Sequence, residues 1–581
     1  MDLLVGLLQN CSTANDGCIF RPTQMTSRSN AMKQLTGFLS LSLATSLAIA
    51  QATAPISKER LRENVRILSS DVFQGRGPGQ VGDAMTIEYL AKKFAAAGLK
   101  PGGSGGSWFQ DVPLRVFERQ PTVSITVKIR GAGAKSLLPG KDITLSSHNS
   151  GHNQLINVPI VFVGYGIHAP DKGWDNFAGI DLHGKLALVL ANDPDFEATP
   201  DSPAYGRFDG KAMVYGGRFG AKVAAAQAAG AAAVLVIHED TAASYPWRQV
   251  ANNDRIASME ITPATGAGSS SAISGWLQWQ VASELLAGSG IDLRQLKIEA
   301  RKPEFHWQNL DGAFFSAEFT MSSHEIVSHN VVARLPGGKR PEEFVLYGAH
   351  WDANGKGAPD ETGDDIRNGA VDNATGTAEL LEVARAFARG RRPDRTLIFV
   401  AYTAEEKGLL GSEYYAGHPL YPLERTAAVI NLDPHVMLGT ARDIELVGAG
   451  RTDLEDALAR AAAAEGMRVE IEPHPEAGWY FRSDHYSFAK RGVPSLSFRI
   501  GRDLIDGGLA AGTARAEDYN INRYHQPMDE FDPKWTFDGT AQETAVAWRI
   551  GVEIANSSRW PGWNQGAEFS AIRASSEDER R

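Results

Sequence analysis

The chain has 581 residues, of which 43% are apolar and 22% charged, and carries a net charge of -11. That length holds two or three domains with sizeable cores. No basic stripe stands out, so nucleic acid is excluded as a partner. The two cysteines, Cys11 and Cys18, both sit near the N-terminus. The body of the protein therefore has no disulfide framework, cysteine-ligated metal or cysteine nucleophile.

Residues 1–31 show no periodicity. From Met32 a Lys precedes a short Leu-rich apolar run, which ends in small-residue sites at Ala48-Ile-Ala50 and Ala52-Thr-Ala54. This is the layout of a secretory signal peptide. The run is too short and too rich in Ser and Thr for a stable membrane span. Met32 is the expected true start, and the periplasm or the medium the expected destination. The expected organisation follows: an extension and signal peptide over 1–54, a first catalytic part over 55–136, an inserted domain over 137–310, a second catalytic part over 311–560 and a polar tail over 561–581.

Leu61, Val65 and Leu68 have helical spacing, and a second helix is expected over 86–97, stopped by Gly98. The Gly-rich loop at 102–106 lacks the Lys-Ser/Thr ending of a phosphate-binding loop. From about 137 to 307 the texture is short strands with Gly and Pro turns. Strands are expected over 158–163, 185–190 and 232–237 and an Ala-rich helix over 219–229, which together suggest a small α/β or β-rich module. His168, His183 and His238 are isolated there, as surface or satisfied histidines.

After His329, strands are expected over 330–335, 344–350, 396–402, 428–432 and 495–500, and helices over 374–389 and 454–465. The alternation implies an α/β fold, with a mostly parallel central sheet and helices on both faces. Gly448-Ala-Gly450 reads as an ordinary strand-to-helix turn, and the chain beyond about 561 as a frayed tail.

Chemistry gathers at the strand ends. His350-Trp-Asp352 follows one strand, Glu405 and Glu406 the next, and Asp433 the third. Asp372-Asn-Ala-Thr-Gly376 opens a helix, and Tyr524-His525 lies farther on. Ligands of open parallel sheets bind beyond the carboxyl ends of the strands, so the three groups that follow strands converge there on architecture alone. Histidines and carboxylates without thiols suit a divalent ion such as zinc in a hydrolytic site. The surplus of carboxylates suggests two ions sharing a ligand. Asp352 is close enough to His350 in sequence to orient its ring.

These motifs, with Asn431-Leu-Asp433 and the entry segment Ser69-Ser-Asp-Val-Phe-Gln-Gly-Arg76, resemble the co-catalytic di-zinc exopeptidases. That family includes secreted bacterial aminopeptidases, glutamate carboxypeptidase and transferrin receptor. The intervening part resembles an inserted protease-associated (PA) domain. The resemblance implies two Zn2+ ions bridged by Asp372, with His350 and Asp433 completing one site and Glu406 and His525 the other. It implies Glu405 as general base, Asp352 as the support of His350, Tyr524 as an aid to the oxyanion, and peptides as substrates. The expected activity is that of an aminopeptidase. A carboxypeptidase or other amide hydrolase is the alternative on the same metal site, and a receptor-like homologue would have lost a ligand or the base. The loop 478–486 also matches the family; its aromatics either line a pocket or pack beneath the loop, and His485 reads as structural.

Overall fold

A computed structural model describes residues 56–130, 133–254, 256–263, 273–357 and 359–580. The expected signal peptide and both cysteines lie outside these residues. Helix α1 (Lys58–Leu68) starts at Ser57, whose hydroxyl accepts from the Arg60 N–H, and buries Leu61, Val65 and Leu68. Helix α2 (Val81–Ala97) begins earlier than expected, with Asp83 accepting from the Gly79 N–H just upstream, and ends at Gly98 in the left-handed region.

A long strand β1 (Phe109–Ile129) leads into the insert. There β2 (Gly151–Phe162), β3 (Leu186–Leu190), β4 (Ala233–His238) and β5 (Ile273–Gln278) pair side by side in parallel, and α3 (Phe219–Ala228) precedes β4. The chain returns along β6 (Gln308–Leu335), which pairs antiparallel with β1 from Val331–Phe109 out to Ala313–Ile129. These two strands are one continuous ribbon with a bulge between Phe319 and Met321. Its far half pairs with β2 of the insert and its near half with the strand Arg395–Tyr402 of the catalytic part, so one continuous sheet runs through both. The expected boundary at 311 falls inside β6. The length of the ribbon is not legible as alternation, because stretches such as Arg119 to Val123 and Ser322 to Val327 are polar or exposed.

After the ribbon the main elements are β7 (Arg340–His350), α4 (Gly376–Arg389), β8 (Arg395–Tyr402), β9 (Thr426–Asn431), β10 (Asp443–Val447), α5 (Leu454–Ala464), β11 (Arg468–Ile471), β12 (Ser495–Ile500), α6 (Gly508–Asn522) and α7 (Asp538–Asn556). The strand order is β6-β8-β7-β9-β12-β10-β11. Strands β8, β7, β9 and β12 are mutually parallel, while β6 and β10 join them antiparallel. Every residue of β8 is buried. Leu397, Phe399 and Ala401 pack under α2, α4 and α7, while Ile398, Val400 and Tyr402 face Tyr415 and Phe488 on the other side. Burial on both faces explains the unbroken apolar run of this strand.

Two expectations are corrected. The stretch beyond 561 is not frayed: Phe569 is buried, the Trp563 indole donates to the Gly492 carbonyl, and the Arg573 guanidinium donates to Thr426 O. Its polar residues flank a few anchors that composition averages away. His238 is not at the surface, and only one of its ring nitrogens has a partner, Nδ1 lying 3.5 Å from Asp240 Oδ1. It is 1% exposed, ringed by Tyr245, Trp247 and Trp276, and its Nε2 has no hydrogen-bond partner. His168 and His183 are exposed and lie beside Asp175 and Asp181. Among the described residues no helix is long and apolar enough to cross a membrane.

Candidate metal centre

Strands β7, β8 and β9 end side by side, and their last turns carry the chemistry. His350 closes β7 with its Nδ1 3.1 Å from the main-chain oxygen of Asp352. That contact orients the ring and turns Nε2 toward the carboxylates. That Nε2 lies 3.3 Å from Asp372 Oδ1 and 3.6 Å from Asp433 Oδ1. The second histidine, His525, places its Nε2 3.2 Å from Asp372 Oδ2 and 3.1 Å from Glu406 Oε2. One carboxylate thus turns a different oxygen to each histidine.

Two triplets result, His350–Asp372–Asp433 and Asp372–Glu406–His525, and in each the donor atoms lie within 4.8 Å of one another. Asp433 Oδ1 is buried without a hydrogen-bond donor. A buried carboxylate oxygen without a donor, beside an imidazole nitrogen and a second carboxylate, is what a cation would satisfy, so the residues present fit divalent ions.

The turn that opens α4 is built to present Asp372. Asn373 reaches back, donating to Leu432 O and accepting from Gly376 N, which ties the Asp372 turn to the segment that carries Asp433. A Cβ at Gly376 would collide with the Leu432 carbonyl. Thr377 donates to the His350 carbonyl.

Glu405 and Glu406 sit in a turn, and their main-chain N–H groups donate to the two oxygens of Asp352 at 3.0 and 3.3 Å. The Asp352 carboxylate therefore holds the Glu405–Glu406 turn, at 3.7 Å from the His350 ring, while its main-chain oxygen orients that ring. Adjacent residues of the turn diverge as expected: Glu406 faces His525, and Glu405 Oε2 lies 3.8 Å from His350 Nε2 outside both triplets.

Charge is concentrated here. Burial, with Asp484, Asp433 and Glu406 nearby, pushes the Glu405 carboxyl well above its usual range against the pull of His350. Burial and Asp372 push Glu406 up to about 7, although His525 opposes them. Burial would raise Asp372 too, but hydrogen bonds from both histidines hold it well below the carboxylate range. Cations placed among these groups would favour every ionised form.

Three contributors carry no role in the sequence reading. Arg76 is fully buried and spends its fork on main-chain carbonyls: Trp351 at 2.7 Å, Leu68 at 2.7 Å, Asn368 at 2.6 Å and Gly369 at 2.9 Å. It grips the segments beside His350 and before Asp372. Burial lowers the guanidinium to about 10, and Asp352, Asp529 and Asp372 oppose that shift, so it stays charged at neutral pH. Asp529 accepts from Val371 N, Asp372 N and the Tyr519 hydroxyl. Asp484 is buried with neither oxygen hydrogen-bonded, and burial raises it to about 7. An arginine that binds carbonyls leaves no sequence pattern, although Arg76 closes the quoted entry segment.

Tyr524 stacks on His525 at 3.8 Å, and its hydroxyl accepts from Arg482 at 3.4 Å. In the loop 478–486, Trp479, Tyr480 and Phe481 are buried in a cluster of their own, the packing alternative, while Arg482 lies over the face of Trp479. His485 is buried against Tyr480 with both ring nitrogens unpartnered.

Arg76→Met should destabilise the protein by roughly 3–5 kcal/mol, since four buried carbonyls lose their donors and nearby carboxylates lose a cation. Arg76→Lys should recover only part of this, because an ammonium lacks the fork. Urea unfolding and metal content measured together check it; a variant of wild-type stability and full metal content would contradict it.

Residues 330–548 match peptidase family M28, and residues 156–273 match the PA domain. A probable zinc metalloprotease of Pyrenophora teres f. teres is 40% identical over 253 residues, 42% of this chain and 47% of that protein. Leupeptin-inactivating enzyme 1 of Streptomyces exfoliatus is 31% identical over 197 residues, 33% of this chain and 41% of that protein. The chain thus spans less than half the length of these relatives. An aminopeptidase from Aneurinibacillus sp. strain AM-1 shares the fold at a TM-score of 0.51 and 19% identity, over 87% of this chain and 95% of that one. The likeness to peptidase family M28 is thus confined to residues 330–548, and the likeness to the PA domain to residues 156–273.

Proposed function

We propose that this protein is a secreted di-zinc aminopeptidase that hydrolyses the N-terminal bond of peptides. The observation that carries the proposal is Asp372, whose two oxygens face two separate histidine–carboxylate groups beyond the parallel strands. The family assignment and the zinc metalloprotease among the relatives support zinc. His350, Asp372 and Asp433 would hold one ion, and Asp372, Glu406 and His525 the other. When bound, such ions supply Lewis acidity and lower the pKa of water.

The chain's own residues supply the rest. Glu405 is beside both groups and belongs to neither, which suits a general base that takes the proton of the attacking water and returns it to the leaving amine. Asp352 holds that base by its main-chain N–H. Tyr524 and Arg482 lie on the His525 side, where a hydroxyl donor and a cation would stabilise a developing oxyanion. The site keeps its base and both triplets, which argues against a receptor-like role.

Chelation of the full-length protein should abolish cleavage of peptides with a free N-terminus, and Zn2+ should restore it. Cleavage that survives metal removal would refute the proposal. Preference for N-blocked over C-blocked peptides would instead assign a carboxypeptidase. Glu405→Gln should retain both metals and lose kcat by about 10²–10⁴-fold, whereas Glu406→Ala should release metal from one site. Equal metal loss in the two variants would show that the pair is divided wrongly. Secretion rests on the signal-peptide pattern after Met32. N-terminal sequencing of exported protein should begin after Ala50 or Ala54, and an intact Met32 would exclude cleavage.

A further inference from the structure

A cavity of about 340 Å³ opens beside the metal ligand His525, and most of its wall comes from the insert. Tyr245, Phe219 and Trp276 line it from the insert, Phe117 from the ribbon, and Arg482 and His525 from the catalytic part. Phe219 stacks on Trp276 at 4.9 Å, and Tyr245 meets the edge of Trp276 at 6.4 Å. The other charged pair in the lining, Arg119 and Asp254, is ion-paired and buried, so its charges are spent on each other. The cavity offers a ligand aromatic faces and hydroxyls, with one cation, Arg482, near the ring of Tyr245.

The wall is fastened to the catalytic part next to the metal centre. In the helix Trp247–Asn253 of the insert, the Gln249 side chain donates to Asn520 O at 2.7 Å. Asn252 donates to the Gln526 side chain at 2.5 Å, and Arg248 donates to Ile521 O. Gln526 is the neighbour of His525 in sequence. The insert is thereby held at a fixed place relative to a metal ligand.

We propose that this cavity is the side-chain pocket of the peptidase and that the insert, through Trp276, Phe219 and Tyr245, sets its preference for a large uncharged aromatic residue beside the scissile bond. The volume lies at the lower end of ligand pockets, which suits one side chain better than a whole peptide. Aromatic rings favour one another in stacked and edge-on contacts. Arg482 disfavours a lysine or arginine side chain entering past it. The inference rests on the peptidase function proposed above and deepens it.

The test uses full-length, metal-replete protein with Phe, Ala, Lys and Glu at the N-terminus of a common chromogenic amide. Wild type should favour Phe over Ala by at least about 100-fold in kcat/KM, since even one methylene in such a pocket is worth 10–200-fold. In Trp276→Ala and Phe219→Ala that ratio should fall by about 10-fold or more, mainly through KM. Calorimetric binding of phenylalaninamide and alaninamide needs no turnover. Tight phenylalaninamide binding that Trp276→Ala weakens, without peptide cleavage, would uphold the pocket and overturn the peptidase. A folded Trp276→Ala and Phe219→Ala pair, by circular dichroism, with unchanged Phe-to-Ala ratios in both assays would overturn the pocket. So would a wild-type preference for Ala, Lys or Glu.

Discussion

Five carboxylates, those of Asp352, Asp372, Glu405, Glu406 and Asp433, lie together, largely buried, at the ends of three strands. Burying one unpaired charge is costly, and burying several together more so. The surrounding structure answers that constraint. Arg76 brings a buried cation that forms no carboxylate ion pair, so its charge acts on the whole group. Asp352 is satisfied by two main-chain N–H groups, and Asp372 by two imidazoles. Asp433 keeps an oxygen with no donor. The compensation stops short of neutrality, and the shortfall is what divalent ions would fill.

The scaffold bears this load because the ligand-bearing segments are cross-tied. Asn373 spans from the Asp372 turn to Leu432, Thr377 from α4 to the end of β7, and Asp529 from the segment after His525 to the N–H groups of Val371 and Asp372. Each tie runs from one ligand's neighbour to another's. A shift of any ligand would strain the rest, which is how a site assembled from distant parts of the chain holds sub-ångström geometry.

How much of this the sequence discloses follows from where the information sits. Buried strands such as β3 and β8 announce themselves through unbroken apolar runs, and the site residues through their place just beyond such runs. What stays hidden depends on main-chain partners or on distance in the chain. Nothing near Arg76 says that its donors go to carbonyls at Asn368 and Gly369, and nothing near Asp529 says that it accepts from Asp372. The β1–β6 ribbon pairs segments on either side of the whole insert, so its polar stretches look like loop. The polar tail conceals Phe569 and Arg573, which are anchored by tertiary contact rather than periodicity.

That ribbon also bears on the insert's relation to the chemistry. A domain hung on two long paired strands could swing if nothing else held it. Here it is held at its far end as well, through hydrogen bonds from Gln249 and Asn252 to residues 520–526 and through Tyr215 against Phe481 and Tyr486. These contacts hold the insert against the stretch of chain that carries His525. In the proposed reading the metal-ligand residues would meet only the scissile amide, and the side chain next to that amide would meet a wall contributed largely by the insert. Chemistry and selectivity would then be carried by different stretches of one chain, joined where Gln526 follows His525.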